Sequence, residues 1–374
     1  MSRETRRDFL RQTTRTTTDA AIGSVALAAC SPWLGPHAIA ADPPRGKIKV
    51  GQIGIGHNHA SAKMATFRKL SEHCEVVGIV EPDPEWRKKR GNQSAYRDLT
   101  WMTEEQLLNT KGLQAVAVEV DPGDDQLMAI TGRCIDAGMH VHLDKPGGES
   151  FSAFKKVLDE AERRDLTVQL GYMYRNNPAM QFCFQAVREG WLGEIFEVHS
   201  VMNRDQPLSY LKWLSQFRGG TMFIFAGHLI DLVVTIMGKP DRITSYQRQT
   251  QSEVEFYDNG LAVFEYPRAT ATVRTASLEV GGYQRRQLVV CGDEGTIEIR
   301  PLEPPKLRLT LAKPRGSFKK GTQDVTLPSI PGRYDEHLLE LARIIRGEIE
   351  NPYPISHELI VQEALLSASG YPSE

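Results

Sequence analysis

The stretch from Lys47 to Glu81 limits the fold more than any other part of the chain. Ile48, Val50 and Ile53 mark a short strand, Gly54-Ile55-Gly56-His57-Asn58-His59 follows, and a helix is predicted through about Leu70. The next strand, Glu75-Val76-Val77-Gly78-Ile79-Val80, ends at Glu81. Strand, glycine turn, helix, strand and acid, in that order, make a dinucleotide-binding unit. Gly54 permits the tight turn, and Gly56 lets backbone N–H groups approach a pyrophosphate at the positive end of the helix. Glu81 can accept hydrogen bonds from both ribose hydroxyls and would repel a 2′-phosphate, so NAD is favoured over NADP. Arg87 and Lys88 lie close enough to moderate that preference. His59 stands at the third glycine position, where close helix–strand packing is usual. No metal is expected at His57 and His59, because no Asp, Cys or third His sits at ligand spacing.

The alternation of strands and helices continues to about residue 173. Leu113–Val120 reads as a strand closed by Asp121-Pro122-Gly123, and a helix then runs to about Ala137. Val141 and Leu143 lie in a strand ending at Asp144-Lys145-Pro146. A helix over 150–165 leads to the strand Thr167–Leu170. Repeated βα units with short links predict a doubly wound parallel sheet, an α/β Rossmann domain over 47–173. Ligands bind such sheets beyond the carboxyl ends of the strands. Glu81, Asp121, Pro122, Asp144 and Lys145 all fall there and are assigned to the cofactor with Gly54, Ile55, Gly56, His57, Asn58 and His59. Residues 174–332 predict an α+β domain with an open, largely antiparallel sheet. Thr221–Met237 reads as one buried helix, and Asp258-Asn259-Gly260 as the turn of a hairpin between Val254–Tyr257 and Leu261–Tyr266. Residues 333–374 predict helices that pack back on the body.

From Lys47 to about residue 370 the order and spacing of motifs resemble the glucose–fructose oxidoreductase, inositol dehydrogenase and MocA-like (Gfo/Idh/MocA) family. The anchors are Gly54-Ile55-Gly56, Glu81, Asp144-Lys145-Pro146, Tyr174-Arg175-Asn176-Asn177-Pro178, and Gly219-Gly220 followed by Gly227-His228-Leu229-Ile230-Asp231. The resemblance implies an NAD(P)-dependent oxidoreductase acting on a hydroxyl of a sugar, cyclitol or glycoside. It maps the family lysine onto Lys145, beside the nicotinamide and the reacting hydroxyl, and the proton-accepting histidine onto His228. Tyr174, Arg175, Asn177 and Asp231 become candidate substrate contacts, with capping of the inter-domain link as the rival role for Tyr174, Arg175 and Asn177. Three positions depart from the pattern: His59 replaces a glycine, Gln126 a histidine, and Ile224 the acid four residues before His228. On one helix those four residues would share a face, and Ile224 can neither orient nor activate the imidazole. Asp231 is the nearest substitute. Tyr210, Trp213 and Phe217 suit either a sugar-stacking wall or a dimer contact.

Ahead of the folded body, Thr5-Arg6-Arg7-Asp8-Phe9-Leu10-Arg11 resembles a twin-arginine export signal, followed by a weakly apolar Ala20–Ala29. Residues 1–40 are therefore read as a leader. Leu27-Ala28-Ala29-Cys30 resembles a lipobox, with Cys30 as the lipid anchor, and Ala38-Ile39-Ala40 fits ordinary cleavage before Ala41. The expected product is periplasmic or membrane-tethered. Outside the cytoplasm, with little free NAD to exchange, the cofactor should be held tightly. Besides net oxidation, this leaves a redox-assisted glycoside lyase or hydrolase with no net NAD turnover. A non-catalytic sugar-binding relative is the third reading. The expected partners are the twin-arginine export machinery, a small sugar or glycoside and a second copy of the chain. Five Arg against Glu4, Asp8 and Asp19 put +2 in residues 1–40, so the rest of the chain carries −4 of the total −2. A mildly acidic body offers no footprint for nucleic acid.

Overall fold

Residues 46–123 and 126–372 are described by the computed structural model. The leader reading, including Cys30 and Ala38–Ala40, lies outside them.

Strands β1 (Ile48–Ile53), β3 (Leu113–Val118) and β4 (His140–Leu143) are buried along most of their length, as strands covered on both faces must be. They join β2 (Cys74–Val80) and β5 (Val168–Leu170) in an all-parallel sheet of order β2-β1-β3-β4-β5. A single parallel bridge between Ile79 and Trp101 extends the β2 edge. The chain reverses direction across the sheet between β1 and β3, so the crevice opens above their carboxyl ends. Helices α1 (Ala60–Lys69), α2 (Pro84–Arg90), α3 (Glu104–Leu108), α4 (Leu127–Asp136) and α5 (Phe151–Arg163) follow the strands in turn. Thr103 and Gln106 form the reciprocal cap that their spacing predicts.

A 3-10 turn over Met173–Asn176 carries the chain into the second domain. Asn177 caps α6 (Pro178–Arg188), and β6 (Ile195–Asn203) then enters an eight-stranded sheet. Its other strands are β7 (Arg242–Arg248), β8 (Asn259–Tyr266), β9 (Ala269–Ala276), β10 (Gln287–Gly292), β11 (Gly295–Leu302), β12 (Pro305–Leu311) and β13 (Gly321–Val325). The order is β13-β12-β11-β10-β6-β9-β8-β7, antiparallel except between β6 and β9. Helices α7 (Leu208–Leu214), α8 (Gly220–Phe225), α9 (Gly227–Met237), α10 (Asp335–Ile345) and α11 (Ile355–Ala368) complete the body.

Two local expectations change. Asp258-Asn259-Gly260 is no hairpin turn. The fully buried Asp258 accepts from Thr250 and Gln251 N–H and ties down a long β7–β8 loop, while the tight reversal falls at Pro267-Arg268. Two short backbone hydrogen bonds to a buried carboxylate outweigh the local turn preference here. The helix expected over Thr221–Met237 is broken at Ala226 into α8 and α9. There Leu229 N–H bonds Ala226 O at 2.8 Å, three residues back rather than four.

Candidate active site

The glycine turn has the shape that a pyrophosphate cradle needs. Gly54 has φ +90°, and a Cβ there would meet Val120 at 2.6 Å. A Cβ on Gly56 would lie 2.9 Å from Asp121 N and 3.0 Å from Trp86 Nε1. Both positions therefore require glycine, and the backbone stays open toward the crevice. Ile55 N–H donates to Glu81 Oε2 at 2.6 Å, so the strand-end acid also braces the turn. Arg90 clamps the other side. Its Nη1 donates to the carbonyls of Ile55, Gly56 and His57 at 2.8–3.1 Å, and Nη2 reaches Asn58 Oδ1 at 3.0 Å. Sequence reasoning missed Arg90. Its only signal was its place on the last turn of the helix after Glu81.

At the far side of the crevice, β4 delivers Asp144 and Lys145. Asp144 Oδ1 accepts Lys145 N–H at 2.8 Å, and Lys145 Nζ donates to Ile224 O at 2.9 Å across the domain boundary. The break at Ala226 makes that contact available, because it frees the Ile224 carbonyl from the helical ladder. Position 224 thus acts through its backbone. Burial pulls the Lys145 pKa down to about 8, partly opposed by Asp144. His228 is buried, edge-on to Tyr172 and Tyr174 at ring separations of 6.0 and 5.3 Å. Burial and then Lys145 drive its pKa well below the ordinary value, so the imidazole is neutral, and its Nδ1 has no hydrogen-bond partner.

The four candidate substrate contacts are placed differently. Arg175 is saturated: its guanidinium binds Asp231 at 2.6–3.0 Å and Glu358 at 2.7 and 2.8 Å. Asp231 is fully buried and also meets His357 Nε2 at 2.9 Å, so it faces away from the task of orienting His228. Asn177 caps α6 through Ala179 N–H and donates to Leu302 O. Tyr174 OH donates to Glu303 at 2.7 Å. Each has its polar group satisfied inside the protein. Among the aromatic candidates, Trp213 on α7 donates to Asp121 Oδ2 at 3.2 Å, and Tyr210 stacks near Phe225. This helix therefore covers the crevice beside Asp121.

Beneath the turn lies a set of charges that the sequence did not bring together. Lys63, with no exposed surface, reaches Asp144 Oδ2 at 2.7 Å, His142 Nε2 at 2.7 Å and Glu119 Oε1 at 3.3 Å. Burial raises the Glu119 pKa well above the carboxylate range. Burial works against Asp144 ionisation too, but His57, Lys63 and His59 hold its pKa well below the usual value. Lys63 follows His59 by four residues, one turn along α1, which is the signal that could have found it.

Comparison with known proteins agrees with this architecture. Residues 48–172 match the model of an oxidoreductase family with an NAD-binding Rossmann fold, and residues 180–298 match the Gfo/Idh/MocA C-terminal domain. The oxidoreductase YdgJ of Escherichia coli is 22% identical over 85% of this chain and 94% of its own length. The NADP-dependent scyllo-inositol 2-dehydrogenase IolW of Bacillus subtilis is 22% identical over 80% of this chain and 86% of its own. The crystal structure of the WlbA dehydrogenase of Bordetella pertussis, in complex with NADH and UDP-GlcNAcA, superposes with a TM-score of 0.69 at 17% identity, covering 87% of this chain and 97% of that one.

Proposed function

The chain belongs to the Gfo/Idh/MocA family of NAD(P)-dependent oxidoreductases, and from that premise we propose that it oxidises a secondary hydroxyl of a sugar, cyclitol or glycoside. Bound at the glycine turn, NAD would accept the hydride. Gly54, Gly56 and the turn N–H groups suit its pyrophosphate, and Glu81 suits its ribose. Arg87 lies against Trp101 and Arg90 is engaged by the turn, which leaves the Glu81 charge to favour NAD over NADP.

One observation carries the reading: Lys145 ends a parallel strand in the crevice with its pKa drawn down to about 8. A base works best when its pKa is near the working pH. Burial leaves Lys145 close to neutrality but pushes His228 far below it. An imidazole so desolvated would return any proton it took. The roles therefore divide with Lys145 accepting the hydroxyl proton and neutral His228 orienting the hydroxyl by hydrogen bonding. Arg175, Asp231 and Asn177 anchor the link between the domains to the second domain and α11. The leader motif supports an exported enzyme that travels with its cofactor.

The test is a panel of sugars, cyclitols and glycosides with NAD+ and NADP+, following reduced-nicotinamide absorbance and product mass. A keto product formed faster with NAD+ is expected. Cleaved glycoside with no reduced cofactor would replace this reading with the redox-neutral lyase or hydrolase. Binding without any conversion would leave a sugar-binding protein.

A further inference from the structure

His57 and His59 offer only two ligand atoms along the chain, but the fold brings Asp144 to them from 85 positions beyond His59. His57 Nδ1 lies 2.9 Å and His59 Nδ1 3.2 Å from the same oxygen, Asp144 Oδ2. All three ligand atoms lie within 4.8 Å of one another. Ordinary hydrogen bonding accounts poorly for this convergence. His57 Nδ1 lies 3.2 Å from the His59 backbone N–H as well as 2.9 Å from Asp144 Oδ2, and its one lone pair or one hydrogen can serve only one of them. That oxygen already accepts Lys63.

A second observation points to the same place. Glu119 is wholly buried directly below, and neither of its carboxylate oxygens has a hydrogen-bond partner. Oε2 is 3.7 Å from His57 Nδ1, while Oε1 is 3.3 Å from Lys63 Nζ, an ammonium shared with Asp144 and His142. A carboxyl buried with both oxygens lacking hydrogen-bond partners is costly, and a cation beside it would supply the missing interaction.

We propose that His57 Nδ1, His59 Nδ1 and Asp144 Oδ2 form a site for one divalent first-row transition metal ion, with the Glu119 carboxyl beside it. Metal–ligand distances of about 2.0–2.2 Å in a tetrahedral site put neighbouring ligand atoms about 3.3–3.6 Å apart. The His57 and His59 contacts to Asp144 Oδ2, at 2.9 and 3.2 Å, fall just short of that spacing, so a small outward shift would admit the ion. Two imidazoles with a carboxylate suit zinc, cobalt, manganese or iron(II) better than calcium or magnesium. Lys63 would stay on the outer side of Asp144 and orient it. The ion would tie the glycine turn to the end of β4, beside Lys145. His59, the most exposed ligand, faces its entry path.

The test uses the untagged full chain, dialysed against cobalt(II) and separately against zinc(II), and it does not depend on turnover. Its failure would therefore leave the hydroxyl-oxidation reading standing. About one metal per chain by mass spectrometry is expected, with visible cobalt d–d bands of a four- or five-coordinate site. His59→Ala and Asp144→Asn should abolish the bands, while His199→Ala on β6 keeps them. Circular dichroism identifies any variant that fails to fold, and wild-type stoichiometry decides the matter alone in that case. Wild type with well under one cobalt per chain and no bands, or bands that survive His59→Ala in folded protein, would overturn the site.

Discussion

Two buried charged clusters lie in the molecule, one in each domain, and they differ in how completely their atoms are paired. On the second-domain side, Arg175 is held by Asp231 and Glu358, and His357 closes the set on Asp231. On the first-domain side, His57, His59 and Lys63 converge on one oxygen of Asp144, and both oxygens of the adjacent Glu119 lack hydrogen-bond partners. The first arrangement returns the desolvation cost of its charges through bidentate hydrogen bonds, as a domain clamp should. The second retains unmet interactions in the cleft, where a ligand can meet them. Similar residue types thus do opposite work, and pairing rather than burial tells them apart.

The comparison breaks most sharply if activity fails to follow it. Lys145→Ala should lower kcat roughly 10^3-fold, within the range for a lost acid–base group, while leaving the melting temperature unchanged or higher, since a buried cation is removed. Steady-state kinetics beside a thermal melt reads both. The same lysine sets the pH profile. With its pKa drawn down to about 8, the base is protonated below that value, so kcat/KM should fall about tenfold per pH unit on the acid side and level off above about 8. A flat profile from pH 6 to 9 would remove Lys145 from proton acceptance.

The Arg175 cluster should behave the other way. Asp231→Ala removes one of the two carboxylates that hold the buried Arg175 cation and should cost about 3 kcal/mol in a urea titration. Turnover per folded molecule should stay within about threefold, because no transition-state contact is lost. Loss of turnover without loss of stability would move Asp231 back among the substrate contacts.

This division explains which parts of the molecule could be read from its sequence. The parallel sheet was legible because each of its units is local: a strand, a turn and a helix announce themselves within about thirty residues. Gly54, Gly56, Glu81 and Lys145 stand at strand ends for the same reason. The pairing that separates the clusters is not local. Nothing near Asp231 reveals that Arg175 and Glu358 will reach it. Nothing near His57 announces Asp144. The break at Ala226 was invisible too. A run from Thr221 to Met237 with so few polar residues looks like one helix, and only packing against β4 shows that the Ile224 carbonyl is needed elsewhere.

A third buried group sharpens the contrast with the smallest effect. Lys63 connects through His142 and Gln169 to Glu340 and His337 on α10, and Asn176 bridges those two. His337 Nε2 lies 3.0 Å from Leu170 O and must carry a hydrogen there. Asn176 Oδ1 faces His337 Nδ1 at 2.9 Å, which requires a second ring proton, yet burial pushes the His337 pKa down to about 3. Turning the amide over resolves this, because its NH2 then meets the bare Nδ1. Its oxygen in turn faces Glu340 Oε2, which must then be protonated. Burial independently raises the Glu340 pKa from 4.5 to about 7. A carboxyl whose folded-state pKa is raised stabilises below its unfolded value, and that stability is lost as pH rises through the folded one. Between about pH 4.5 and 7 the loss should reach about 3 kcal/mol, at about 1.4 kcal/mol for each step of one in pH. Glu340→Gln removes the titration. Urea titrations at pH 5 and 8 should therefore show the variant losing less stability than wild type over that interval. Parallel losses in the two proteins would mean that Glu340 stays ionised, and that the Asn176 bridge is as fully charge-paired as the Arg175 clamp.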